Sequence, residues 1–221
     1  MALKNDYILK VVERMTELIK KVEFLKKENK SEEAIDEINK ACKEIFGFDL
    51  DKVERMSYDS IIELLLLNKS TFDIRCEVVA ELLSVKGYIY LSGNNGNEGY
   101  DCFVKSLNLY LYLVNNDCEM NIFNGNEKVD VIVSKLSQYE LPIETEKMVL
   151  KYYLKKGKYS NGEDLLFSMI KKEKSEEIFS LGYEFYDTLK KKSSEELELG
   201  NFSLEEVDFG LEDLNELKKK N

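Results

Sequence analysis

Histidine and tryptophan are absent from these 221 residues, proline occurs once, and arginine is confined to Arg14, Arg55 and Arg75. Each shortage excludes something. Without histidine there is no Ser/His/Asp or Cys/His catalysis, no His-ligated zinc and no imidazole pH switch. Three arginines leave few planar forks for gripping phosphate or carboxylate. The four cysteines, Cys42, Cys76, Cys102 and Cys118, form no C-x-x-C pair. They read as reduced, mostly buried thiols of a cytoplasmic protein rather than a zinc site. The most apolar local run, Ile61 to Leu67, is far short of a membrane span, which needs ~20 residues. No signal peptide is visible at the start.

What is present is acidic and aromatic. There are 43 acidic against 32 basic side chains, a formal net charge of −11, with 13 Tyr and 11 Phe to fill a core. Apolar residues make up 43%, too many for a disordered chain. The acidic balance argues against nucleic acid, which needs a basic face, and against anionic membranes. The charge is uneven: residues 194–221 carry −6 of the −11.

Nearly every segment repeats at helical period. Tyr7, Ile8, Val11, Val12, Met15, Leu18, Ile19, Val22 and Leu25 lay one stripe along a helix over about 3–28. Ser31 is read as the cap of a second helix that stops at Gly47. Further helices are expected near 57–67, 72–91, 98–114, 127–138, 142–156, 160–172 and 175–190. Asn126 is expected to cap the 127–138 helix, and Ser160–Glu163 to form a capping box for 160–172. The glycine- and asparagine-rich 93–99 stretch lacks a preceding strand and a following Lys-Ser/Thr. It reads as a turn between helices, not a phosphate loop. The expected fold class is all-α.

A finer pattern recurs. Ala34 with Ile38, Gly99 with Phe103, and Gly162 with Leu166 each place a small residue early in a second helix and a large apolar one four residues on. The small side chain lets two helices approach, and the large one fills the gap beyond. Leu83, Gly87, Tyr90, Gly99 and Phe103 resemble the tetratricopeptide repeat (TPR) consensus. The consensus Trp and closing Pro are missing, and the matched units recur at 65 and 63 residues rather than 34. The opening Asn5-Asp6-Tyr7-Ile8-Leu9, with Phe24-Leu25-Lys26-Lys27, Leu107–Leu111 and Glu140-Leu141-Pro142, resembles a bacterial family of uncharacterised TPR-like helical-repeat proteins. The resemblance spans about residues 1–170. It implies a right-handed α-solenoid of stacked antiparallel hairpins in the cytoplasm, and it carries no active site to transfer.

If the chain is such a stack, the first helix of each hairpin lines a groove. Lys147, Lys151 and Lys155 then share one helix face, although like charges at that spacing cost a few tenths of a kcal/mol per pair. Lys26 and Lys27 join them from the first hairpin, Tyr88 and Leu91 from the middle one. These seven are the candidate partner-binding residues. Glu23, Glu81 and Glu144 face the same way by the same reckoning. Residues 1–193 form the expected helical domain. In 194–221, Ser203–Glu206 reads as a capping box, with Phe202 stapling to Val207. Leu204, Val207, Leu211, Leu214 and Leu217 form a narrow seam on an acidic amphipathic helix, which either caps the stack or detaches to dock elsewhere. No catalytic, metal-binding or cofactor-binding residues are expected, since no spacing locates a two-carboxylate site. The favoured function is a non-catalytic adaptor or scaffold for a protein or peptide. The alternatives are a self-associating structural protein, as a homo-oligomer, and a small-ligand-binding helper subunit.

Overall fold

A helical stripe needs a partner to cover it, and in the computed structural model each stripe finds one in the next helix. The structure describes residues 2–93, 95–120 and 122–220, with side chains from Asp6 onward. Asn94 of the expected 93–99 turn, Asn121, and the side chains of Leu3 and Asn5 lie outside the described residues. The fold is all-α: twelve α-helices and one 3-10 turn, with no strand among the described residues. Backbone packing divides the chain into two compact units, Met1–Glu140 and Leu141–Asn221.

In the first unit, α1 (Ala2–Lys27) buries Val11, Met15, Leu18, Val22 and Leu25, the stripe expected from the sequence. It turns at Asn29, in the left-handed region at φ 57°, into α2 (Ser31–Phe46). Arg14 reaches Glu44 and Lys21 reaches Glu37, so the two helices run antiparallel. Gly47 ends α2 at φ 81°, and its N–H donates to the Lys43 carbonyl, a stop open chiefly to glycine. Two short helices follow, α3 (Leu50–Glu54) and α4 (Tyr58–Leu66), the latter capped by the Ser57 hydroxyl.

The next helix, α5 (Phe72–Ser92), has no single apolar stripe and is buried on nearly every side. It pairs with α6 (Gly96–Asn115) over their whole length. Phe72 meets Tyr112, Cys76 meets the Leu109 carbonyl, and the Ser106 hydroxyl donates to the Ala80 carbonyl. At the tight end, a Cβ on Gly87 would lie 3.1 Å from the Phe103 ring, and one on Gly99 2.9 Å from Leu91. Both glycines are therefore required by helix contact rather than by backbone angle. The last helix of this unit, α7 (Gly125–Leu136), returns along α6, since Tyr139 beyond its end meets Tyr100 at the start of α6.

The second unit contains α8 (Ile143–Lys155), α9 (Tyr159–Lys172), α10 (Glu176–Leu189), α11 (Ser194–Leu199) and α12 (Leu204–Lys219). They share one apolar core, in which Leu150, Leu166, Phe179, Phe185, Leu197 and Leu214 are buried. A Cβ on Gly162 would lie 2.8 Å from the Phe185 ring and one on Gly182 2.9 Å from Leu214, repeating the small-against-large contact of the first unit. The acidic segment 194–221 is part of this core through Leu197, Phe202, Val207 and Leu214. Gly200 fits against the α8–α9 turn, where a Cβ would fall 2.2 Å from the Tyr159 ring. Of the expected seam, Val207 and Leu214 are buried, Leu211 and Leu217 are half-buried, and Leu204 is 48% exposed.

Three helix starts differ from the sequence expectation. Ser31 is the first residue of α2 and does not cap it; Lys30 holds that position with no side-chain bond. Asn124, not Asn126, caps α7 by accepting from the Glu127 N–H. α9 starts at Tyr159, so Ser160–Glu163 lies inside the helix and forms no box. In each case the helix extends further N-terminally than its side-chain signal.

Candidate partner-binding faces

Inside the first unit, α5 carries charge where its sequence neighbours are apolar. Lys86 is fully buried, and its ammonium bonds the carboxylates of Asp51 and Glu54 on α3. Its Nζ also lies 5.6 Å from the Tyr90 ring centre. Burial pushes the Lys86 pKa down, but the two carboxylates outweigh it and hold the ammonium above its ordinary range. Burial likewise raises the Asp51 carboxyl, and Lys86 and Asn39 overcome this to hold it below its ordinary value. One turn further in, Glu81 accepts from the Tyr110 hydroxyl at 2.8 Å and from Lys128 of α7 at 2.6 Å. Glu77, also fully buried, accepts the backbone N–H groups of Ile122 and Phe123 ahead of α7. These three side chains tie α5 to α3, α6 and α7 with their bonds satisfied, as buried charge requires. Glu81 is 5% exposed, so it does not face an open groove as the sequence reading had it.

Lys26 and Lys27 are exposed at the end of α1. Tyr88 and Leu91 sit half-buried at the end of α5. Tyr88 stands edge-on to Phe103 at 4.8 Å, and Leu91 packs on Gly99. Beside them lies a group that the sequence reading passed over. Lys135 of α7 has its Nζ 5.7 Å from the Tyr88 ring centre, and the Tyr100 and Tyr139 rings meet at a tilt, 5.5 Å between centres. The spacing of Val131, Lys135 and Tyr139, four residues apart, was the available signal.

In the second unit, Lys147, Lys151 and Lys155 do share a face of α8, but not as three open charges. Lys147 is half-buried and donates to Glu144 at 2.8 Å and Glu177 at 2.6 Å. Those two bonds hold its pKa above the ordinary lysine value. Lys151 and Lys155 are exposed. Glu144 therefore serves to neutralise Lys147, and the exposed lysines lie toward the C-terminal half of the helix.

Cys42, Cys76 and Cys102 are buried free thiols and Cys118 is half-buried. Burial pushes Cys42 and Cys102 up to about 12, which keeps them protonated and unreactive. Among the described residues no three Cys, Asp or Glu side chains gather as a metal site, and no helix is long and apolar enough to cross a membrane.

These features define a class: an all-α protein of antiparallel helical hairpins held by glycine contacts and by a few satisfied buried charges. The chain belongs to a family of unknown function, DUF6483, whose model matches residues 2–219. No curated protein and no solved structure matches it.

Proposed function

We propose that this protein is a non-catalytic, cytoplasmic adaptor or scaffold that binds a protein or peptide on a TPR-like stack of hairpins. The observation that carries the reading is the small-against-large contact between paired helices. It recurs at Gly87/Phe103 and Gly99/Leu91 in the first unit, and at Gly162/Phe185 and Gly182/Leu214 in the second. Such contacts let paired helices approach closely, as they do in helical-repeat proteins, whose stacked hairpins are the usual platform for extended partners. The exposed Lys151 and Lys155 on α8 supply positive charge on a chain of net −11, which favours an acidic segment there.

Affinity capture from the native cell tests this, with the wild-type chain and with Lys147/Lys151/Lys155→Glu as paired baits. The wild type is expected to recover at least one protein that the triple variant loses. Recovery of the same proteins by both baits removes α8 from the binding face. Separate capture with Lys26/Lys27→Glu asks whether the first hairpin contributes.

A further inference from the structure

One end of the first unit gathers aromatic side chains around a lysine that meets no carboxylate among the described residues. Phe103, fully buried on α6, is the floor, and Tyr88 stands on it edge-on, with the ring planes at 85°. Lys135 sits over the Tyr88 ring. One helical turn from Phe103, the Tyr100 ring meets Tyr139 at a tilt of 46°, and its hydroxyl donates to the Glu140 carbonyl at 2.7 Å. Val131, one turn before Lys135 on the same helix, is 52% exposed, and Tyr139 is 38% exposed.

Lys135 differs from most of the chain's fixed lysines, and shares its aromatic contact with Lys158, which lies over the Tyr152 ring in the second unit. Lys86, Lys128, Lys147, Lys172 and Lys218 each meet a carboxylate. Lys135 is exposed, and among the described residues its partner is an aromatic face. The nearest buried acid on α5, Glu81, is already neutralised by Lys128. A cation steered by a ring, beside open apolar surface, offers one charged bond and one apolar contact to the same ligand.

We propose that this end of α5, α6 and α7 docks a peptide segment bearing a carboxylate next to an apolar side chain. The carboxylate bonds Lys135, and the apolar side chain lies on Val131 and Tyr139. The inference rests on the adaptor reading and names the chemistry of a partner for a second face, distinct from α8.

The test is fluorescence anisotropy on the full chain with labelled twelve-residue peptides. One set pairs Glu or Asp with Leu or Phe; a second replaces each acid by Lys, and a third by Gln. The acidic-apolar set is expected to bind about tenfold tighter than either control, less so as salt rises. Lys135→Glu and Lys135→Gln are both expected to abolish that preference, while Lys20→Glu, an exposed position on α1, leaves it within about twofold. Thermal unfolding of each variant at the wild-type midpoint confirms that the exposed substitution leaves the fold intact. Equal binding of all three peptide sets overturns the proposal, as does binding unaffected at Lys135. Binding lost in Lys151→Glu but kept in Lys135→Glu overturns it while leaving the adaptor reading standing. Self-association of the wild type that Lys135→Glu abolishes makes the occupant a second copy, and also overturns it.

Discussion

The two units solve the same packing problem with opposite placements of charge. The first encloses it: Lys86 and Glu77 are fully buried and Glu81 nearly so, each bonded to a neighbouring helix. The second keeps most of it outside. Its α10–α12 contact is apolar at the centre, with Lys190–Asp208 and Lys218–Glu176 at the rim. Its main buried carboxylate, Glu146, is met by Lys172. The lesson concerns what specifies each pairing. In the second unit, shape decides, because glycines admit Phe185, Leu214 and Tyr186 at single positions. In the first, a buried charge permits only the neighbour that satisfies it, which fixes α3 and α7 against α5.

Lys86→Met breaks this contrast most severely. It leaves Glu54 and Asp51 without their ammonium and is expected to cost about 2 kcal/mol, below the range for a fully buried pair because both carboxylates reach solvent. A loss under about 1 kcal/mol in urea unfolding would show that the pair adds little. The counterpart in the second unit is Gly210→Ala. The added Cβ would lie 2.2 Å from the Tyr186 hydroxyl and 2.5 Å from Glu163, so α12 must shift. About 2 kcal/mol is expected, in the range of overpacking, with faster amide exchange in α12. Unchanged exchange there would mean that the helix contact is looser than its geometry.

Acidification sharpens the comparison with a smaller effect. Asp51 has a lowered pKa, so its contribution is present at neutral pH and fades as pH falls through the ordinary carboxylate range. Glu163 has a raised pKa, through burial and then the nearby Glu206, Asp164 and Asp213, against the opposing Tyr186 hydrogen bond. Its charged form costs stability at neutral pH, and that cost is relieved as pH falls. Asp51→Asn should therefore flatten the acid loss of the first unit. Glu163→Gln, which keeps an acceptor for Tyr186, should raise the second unit's stability at pH 7 and little at pH 4. Exchange protection read separately in α5 and α12 checks both signs.

Much of this was legible in the sequence, because amphipathic period survives in α1, α2, α6, α8 and α10. The starts at Ser57 and Ser175 follow their hydroxyls, and the stop at Gly47 follows its glycine. The small residues Gly99 and Gly162 stand at close helix contacts, as their spacing suggests. The ion clusters were not legible. α5 is buried on all sides, so no period marks Lys86, Glu77 or Glu81 as inward, and their partners lie 29 to 47 residues away. Short α11 was missed because six residues hold too few turns to show a stripe. α11 starts at the capping box of Ser193 and Glu196, which was passed over in favour of Ser203. Lys147 looked like open charge because Glu177, its second partner, is 30 residues distant.

The central claim is that a partner binds the outer faces and leaves the buried ion clusters alone. Amide hydrogen exchange on the full chain, with and without a protein recovered by capture, measures this directly. The account predicts added protection in α8 or at the Tyr88–Lys135 end of the first unit, with the middle of α5 around Glu77 and Glu81 unchanged. Protection confined to that middle segment, or no change anywhere at saturating partner, would contradict it.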